Sequence, residues 1–377
     1  MAKKQLETEQ NLQEERDASS AQTGPQSESV PRIERPFGSA NRQRLIAEFL
    51  EAKSTSAWQD IYRLLLWIDK TTGLAHCYES DKCQPGKPWY PRSLRFHEWL
   101  ATTLQTPAAT VGEQLDWLFR RTADDYAREK VAQYQTLLRR AGAQWAPFSG
   151  RGFPEPGDDP GIAEIIREVL GQHLREAPSV AQWQELSRRI REWIAVENKR
   201  KNLVGEGFED VICAVVKRFD TTGELTAEAR KPLSEVLGFG NFRDGDKENK
   251  VDAVVIRKAD QHRTLVTAKW SIRADRERQF QSDFGDYVRA MSGNNPFDYV
   301  LLTNEFDPAR LQRAAESMAG NSRMFATVVH IAPDALRAVY GAQPEARMRE
   351  VLGHIDRGRI IGVGDWINGM ARAAGAA

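Results

Sequence analysis

The sequence contains few cysteines, and their arrangement is not typical of a disulfide framework. Three cysteines occur in 377 residues, namely Cys77, Cys83 and Cys213. An odd and sparse set argues against a secreted, disulfide-stabilised scaffold and is typical of proteins of the reducing cytoplasm. His76 adjoins Cys77, but the second half of a zinc-binding pattern is missing. We therefore expect a cytoplasmic protein.

Long apolar runs and an excess of charge of one sign are also lacking. No stretch is long and apolar enough to span a bilayer, and none near residue 1 resembles a secretion signal, so we expect no membrane partner. Lysine and arginine total 53, as do aspartate and glutamate, so the net charge is zero. Net charge therefore provides no argument for nucleic-acid binding, although a local basic groove can coexist with acidic metal ligands.

Length and composition predict two domains and a tail. Residues 1–38 are rich in Gln, Glu, Ser and Lys and bury little apolar surface, which predicts a disordered tail. Between 39 and 198 the apolar residues recur at helical spacing, which predicts an N-terminal all-helical domain for DNA clamping or oligomerisation. Residues 199–377 change to a mixed pattern and form the second predicted domain.

The mixed pattern begins with one apolar helix face and continues with short apolar runs. The helix face consists of Phe208, Val211, Ile212, Val215, Val216 and Phe219. Strands are predicted at 250–257, 264–271, 297–303 and 328–331, with a polar turn at 258–262 and a helix at 276–291. This order predicts an α/β fold with a central mixed β-sheet flanked by helices.

Asp252 and Lys269 lie on the two strands of the predicted hairpin. Inward-pointing polar groups on adjacent strands can converge at one end of a sheet. A carboxylate can hold Mg²⁺, which prefers hard oxygen ligands, and the metal polarises a phosphate and activates a bound water. A lysine nearby can orient the water or stabilise the charged transition state. Taken alone, Lys269 could also be a lysine that protects a sheet edge from aggregation.

This pair resembles the PD-(D/E)XK nuclease superfamily, with two departures. Val251 stands where the pattern has proline, and Thr267 stands where it has an acid. In type II restriction endonucleases that recognise CCGG, the second acid has moved to the following helix and a hydroxyl residue often takes the vacated position. Asp283 lies fourteen residues after Lys269 and resembles that acid, with Asp286 as the alternative. Several of these enzymes have a long insertion between the strand acid and the strand lysine. In this chain only sixteen residues separate Asp252 from Lys269.

The sequence KWSIRADR places three further polar residues just after Lys269. Arg273, Asp275 and Arg276 resemble the R-x-D-R element by which that group reads the CCGG core. Arginine presents two donors that match guanine O6 and N7, and a carboxylate accepts from cytosine N4. Read by composition alone, the same residues are typical of a solvated helix start.

Further metal ligands are available outside the hairpin. Glu209 borders the apolar face of its helix and resembles the helix glutamate that completes the family's metal site, with Glu206 as the alternative. An acid at this place is also explained by proximity to a helix N-terminus. Asp244 and Asp246 are substitutes should Asp252 be misassigned.

The resemblance implies a restriction-endonuclease-like core and a Mg²⁺-dependent type II restriction endonuclease. Its substrate would be double-stranded DNA with a palindromic site containing CCGG, cut to leave 5′ overhangs. A palindrome implies a homodimer or higher oligomer, because the symmetry of the protein mirrors that of the site. A cognate DNA methyltransferase is expected in the same system. The alternatives are a structure-selective or repair nuclease of the same fold, and a catalytically dead DNA-binding regulator.

Overall fold

The computed structural model describes residues 39–375 except for short gaps. The gaps are 52–55, 70, 77–81, 154, 157–159, 175, 177, 241–248, 274–275 and 294–295. The predicted disordered tail, 1–38, lies outside the described residues, and so do Cys77, Asp244, Asp246 and Asp275.

The N-terminal half is helical apart from one short ribbon. Its helices are α1 (Ser39–Leu50), α2 (Ala57–Leu65), α3 (Tyr90–Thr103), α4 (Val111–Gln114), α5 (Trp117–Trp145), α6 (Pro160–Leu170) and α7 (Val180–Phe219). The ribbon pairs β1 (Ile68–Asp69) with β2 (Leu74–Ala75), and 3-10 turns lie at Ala146–Phe148 and Gly171–His173.

Helix α7 is continuous through residue 199, where the sequence predicted a domain boundary. It has 40 residues and begins with a capping box, in which Gln182 N donates to Ser179 Oγ and Ser179 N donates to Gln182 Oε1. Gly207 lies within the helix and close to α2: a Cβ there would be 3.4 Å from Leu65 Cδ2. One hydrophobic core extends from Leu45 to Ala371, so residues on both sides of position 199 share it.

The C-terminal half is built around a six-stranded mixed sheet. Its elements are β3 (Leu225–Pro232), a 3-10 turn (Leu233–Glu235), β4 (Lys250–Arg257), β5 (Arg263–Lys269), α8 (Arg276–Ala290), β6 (Phe297–Thr303), α9 (Pro308–Glu316), β7 (Met318–Ala319), β8 (Ser322–Arg323), β9 (Thr327–His330), α10 (Pro333–Tyr340), α11 (Ala346–Asp356), β10 (Ile360–Gly362) and α12 (Val363–Gly375). The strand order is β10-β9-β6-β5-β4-β3, while β7 and β8 form a separate ribbon.

The sheet combines an antiparallel meander with parallel strands. β3, β4 and β5 are antiparallel neighbours, and β5, β6, β9 and β10 run parallel. The α/β class and the mixed central sheet flanked by helices are therefore confirmed. The β4–β5 hairpin and β6 lie where the apolar runs predicted them, whereas β3 and β10 were not predicted. Among the described residues, no helix has both the length and the apolarity needed to cross a bilayer.

Candidate active site

The hairpin of β4 and β5 brings Asp252 and Lys269 together at one end of the sheet. Ala253 pairs with Val266, so Asp252 lies beside Thr267, and Lys269 follows two residues later on the same face. Lys269 Nζ lies 2.6 Å from Asp252 Oδ2. Both side chains are about one-fifth to one-quarter exposed, so solvent and ligands can reach the ion pair.

Thr267, at the position where an acid was missing, supports the carboxylate instead of supplying a second one. Its Oγ1 donates to Asp252 Oδ2 at 3.2 Å, and Ala268 N donates to the same oxygen at 2.9 Å. With Lys269, three donors converge on Oδ2, while Oδ1 accepts no hydrogen bond from the described residues. The carboxylate is thus held at a defined angle with one oxygen available.

Glu209, on α7, is the second carboxylate of the site. Burial and the negative charge of Asp252 raise the pKa of Glu209 to about 7, and the charges of Arg230 and Lys269 oppose this rise. Arg230 Nη1 donates to Glu209 Oε2 at 3.0 Å. Two partly buried carboxylates that repel one another form a site where an added cation is stabilised.

Arg230 is a residue of the site that the sequence did not indicate. It lies in β3 opposite Asp252, where the register from Ala229–Ala253 to Lys231–Val251 is interrupted. Its backbone adopts φ +51°, a left-handed conformation. In this conformation its side chain reaches α7, donating to the carbonyl of Glu206 at 3.1 Å and to Glu209 and Asp210. The strand alternation before it gives no signal of this turn.

Replacing Arg230 tests both its ion pairs and its backbone strain. Arg230→Ala is expected to destabilise the fold by about 2 kcal/mol, because Glu209 loses its cation inside a half-buried cluster. Arg230→Gly should be about 1 kcal/mol more stable than Arg230→Ala, since glycine adopts positive φ without a steric cost. Urea denaturation measures both values. Lys231→Ala, which removes a neighbouring ion pair to the exposed Glu228, should cost about 0.5 kcal/mol. Equal stability of the alanine and glycine variants would contradict the strain argument.

The two acids of α8 have different surroundings. Asp286 accepts a hydrogen bond from Asn249 Nδ2 at 3.0 Å and pairs with Arg289. Asp283 is half-buried, and after the effect of burial the charges of Asp283, Asp252 and Asp286 all raise the pKa of Tyr287. Both acids of α8 therefore influence the same buried phenol as Asp252, and the choice of Asp283 over Asp286 stays a prediction.

The three predicted base-reading residues follow the hairpin directly. Arg273 is exposed, Asp275 lies outside the described residues, and Arg276 begins α8. The side chain of Arg276 also lies outside the described part. The structure thus positions the start of this element four residues beyond Lys269, on the surface.

As a pair of carboxylates, Asp252 and Glu209 could hold a divalent cation such as Mg²⁺. Among the described residues, no three His, Cys, Asp or Glu side chains lie close enough to form a preformed metal site. Asp252 and Glu209 each have a carboxylate oxygen that accepts no hydrogen bond from the described residues. Mg²⁺ is usually bound through one or two carboxylates while waters and substrate phosphates complete its coordination.

Comparison with known proteins provides no family for this chain. No protein-family model matches the sequence, and no curated protein matches it.

Proposed function

We propose that the protein is a Mg²⁺-dependent endonuclease of double-stranded DNA, with a restriction-endonuclease-like core in its C-terminal half. The observation that supports this most is the contact of 2.6 Å between Lys269 Nζ and Asp252 Oδ2, at the end of a hairpin that also faces Glu209. A carboxylate pair beside an ammonium group is the minimum set for metal-assisted hydrolysis of a phosphodiester.

The proposed roles of Asp252, Glu209 and Lys269 follow from their contacts. Asp252 and Glu209 would hold the metal, with Asp283 on α8 as a further acid. When bound, Mg²⁺ polarises the scissile phosphate and lowers the pKa of a bound water. Lys269 is anchored on Asp252 and would orient the attacking water and stabilise the negative charge that develops on the phosphate.

Substrate selection is proposed to rest on the element that follows the hairpin. Arg273, Asp275 and Arg276 would read the C·G pairs of a palindromic site containing CCGG, through bidentate contacts to guanine and a carboxylate contact to cytosine N4. Cutting before the first C would leave four-base 5′ overhangs. A palindrome calls for a homodimer or higher oligomer, and a DNA methyltransferase in the same system would protect the host.

Plasmid cleavage tests this proposal and its specificity. Supercoiled plasmid incubated with the protein and Mg²⁺ should be cut, and sequencing of the ends should show CCGG at every junction. Arg273→Ala should lower discrimination against substituted sites by roughly 5–150-fold, the equivalent of 1–3 kcal/mol. Arg278→Ala, an exposed arginine of α8, is the matched control and should discriminate like the wild type.

Two outcomes would favour the alternatives. Cleavage without a CCGG preference and unaffected by Arg273→Ala would indicate a structure-selective or repair nuclease. Sequence-specific binding without cleavage at any Mg²⁺ concentration would indicate a DNA-binding regulator. Thr267 is the observation that favours the regulator, because it occupies the position of an acid and donates to Asp252.

A further inference from the structure

A buried polar cluster lies next to the segment that leads from Lys269 to the proposed base-reading residues. The cluster is centred on the β6–α9 loop, residues 304–307. Asn304, Glu305 and His330 are each at most 1% exposed. Such groups are costly to bury unless they are hydrogen-bonded, so their partners show what holds them in place.

Glu305 joins this loop to the segment 270–273. Its Oε2 accepts a hydrogen bond of 2.6 Å from Ile272 N. Its Oε1 accepts from Phe306 N at 2.9 Å and from Asp307 N at 2.8 Å. Asn304 N also donates to Trp270 O at 3.0 Å. Two bonds therefore tie the loop to the segment, one of them through a carboxylate.

The loop is itself held by neighbouring elements. Tyr62 donates from its hydroxyl to Asn304 Oδ1 at 2.8 Å, and Tyr340 donates to Phe306 O at 2.5 Å. Ala332 N donates to His330 Nδ1, so His330 Nε2 carries the proton and donates to Glu305 O at 3.0 Å. Burial lowers the pKa of His330 to about 4, so this tautomer persists at neutral pH. The carboxylate thus projects from a rigid support.

The side chain of Ile272 is itself buried in the hydrophobic core and borders a pocket. A cavity of about 310 Å³ lies between Ile272 and helices α8 and α9, lined there by Phe280, Arg310 and Arg313 among others. Arg310 Nη1 is 3.5 Å from Glu305 Oε2, which is long for a direct ion pair. Burial raises the pKa of Glu305 to about 7, and the backbone donors of Asp307 and Ile272 oppose this rise more than Arg310 does. The closest partners of the Glu305 carboxylate are therefore backbone N–H groups.

We infer that Glu305 is a positioning residue, whose bond to Ile272 N sets the place of Arg273, the first proposed base-reading residue, relative to the proposed catalytic Lys269. The inference rests on the proposed function for its biological meaning. Its geometric part, the anchoring of Ile272, concerns the chain alone. A glutamine at 305 has one acceptor oxygen, so it can accept from Ile272 N or from the loop amides but not from both.

Amide hydrogen exchange tests the geometric part. In the wild type, the Ile272 amide should be as protected as amides of β6 such as Leu302. In Glu305→Gln its exchange should accelerate at least about tenfold, the factor that corresponds to losing one hydrogen bond. Asp307→Asn is the matched control: it changes an acid of the same loop, whose side chain caps α9 by accepting from Ala309 N. An unprotected Ile272 amide in the wild type, or unchanged exchange in Glu305→Gln, would overturn the inference.

DNA selectivity tests the functional part. Glu305→Gln should lower the ratio of affinities for a cognate and a one-base-substituted site about tenfold, since bidentate readout depends on the angle of the arginine. The single-turnover cleavage rate at saturating cognate DNA should change less than about threefold. An equal loss of selectivity in Asp307→Asn would reject the inference, because loop stability would then explain it. A wild type that neither binds nor cuts DNA would reject the proposed function, whereas the exchange result would still decide the anchoring.

Discussion

Asp252→Asn is expected to lower the single-turnover rate of DNA cleavage by about 10³-fold or more. Removing one group that stabilises transition-state charge typically costs about 10²–10³ in rate, and this change also removes a metal ligand. Asparagine has nearly the same shape and its oxygen can still accept from Thr267 and Ala268, so the hairpin should fold. Quenched-flow cleavage of a saturating DNA duplex at fixed Mg²⁺ gives the rate.

Asp260→Asn is the matched control for this change. Asp260 lies at the turn of the same hairpin and is also paired with a cation, Arg257, but at the opposite end of the strands. The Asp260→Asn variant should cleave DNA at the wild-type rate. DNA affinity measured without metal should be retained in both variants, because phosphate contacts by basic side chains supply most of it. Wild-type cleavage by Asp252→Asn would remove Asp252 from the site.

Glu209→Gln is expected to raise the Mg²⁺ concentration needed for half-maximal cleavage by at least about 10–100-fold. Loss of a residue that only supports a metal ligand typically lowers metal affinity by this factor. The pKa of Glu209 is raised to about 7. Below pH 7 a proton therefore competes with the metal, and the Mg²⁺ requirement of the wild type should rise by about tenfold per pH unit. Cleavage assays at several pH values and Mg²⁺ concentrations give both results.

The raised pKa of Glu209 also leads us to expect that the stability of the metal-free protein depends on pH. Glu209 has a higher pKa in the folded protein than the value of 4.5 expected for the unfolded chain, so its protonation stabilises the fold at pH values below 4.5. This stabilisation is lost as the pH rises through about 7. Glu209→Gln should therefore reduce the fall in the free energy of unfolding between pH 4.5 and 8. Glu305 has a shift of the same sign and remains in the variant, so the difference isolates Glu209.

Glu206→Gln is the control for both measurements. Glu206 lies almost one turn before Glu209 on α7 and pairs with Arg42 at 3.1 Å, with its side chain half exposed. It was the alternative metal ligand, and its contacts make it part of the ion-pair cluster on α7. A larger effect on the Mg²⁺ requirement from Glu206→Gln than from Glu209→Gln would reverse the assignment.

The residues of the hairpin were accessible to prediction because their signals are local. Val254, Val255 and Leu265 belong to short apolar runs bounded by a polar turn, and such runs predict buried neighbouring strands. Once two strands form a hairpin, their register places Asp252 and Lys269 at the same end. Strand β3 escaped prediction because Glu228, Arg230 and Lys231 interrupt its alternation at the edge of the sheet.

The sequence alone determined the α/β class, the hairpin and the pair of residues at its end, because strand period and turn chemistry act between residues close along the chain. Only the tertiary structure decided that α7 runs unbroken past Gly207, that Arg230 turns out of β3 to meet Glu209, and that Glu305 reaches Ile272. These contacts join residues 20 or more positions apart. The burial and the charged neighbours of these side chains depend on which helices and strands pack together. A local sequence pattern does not predict that packing.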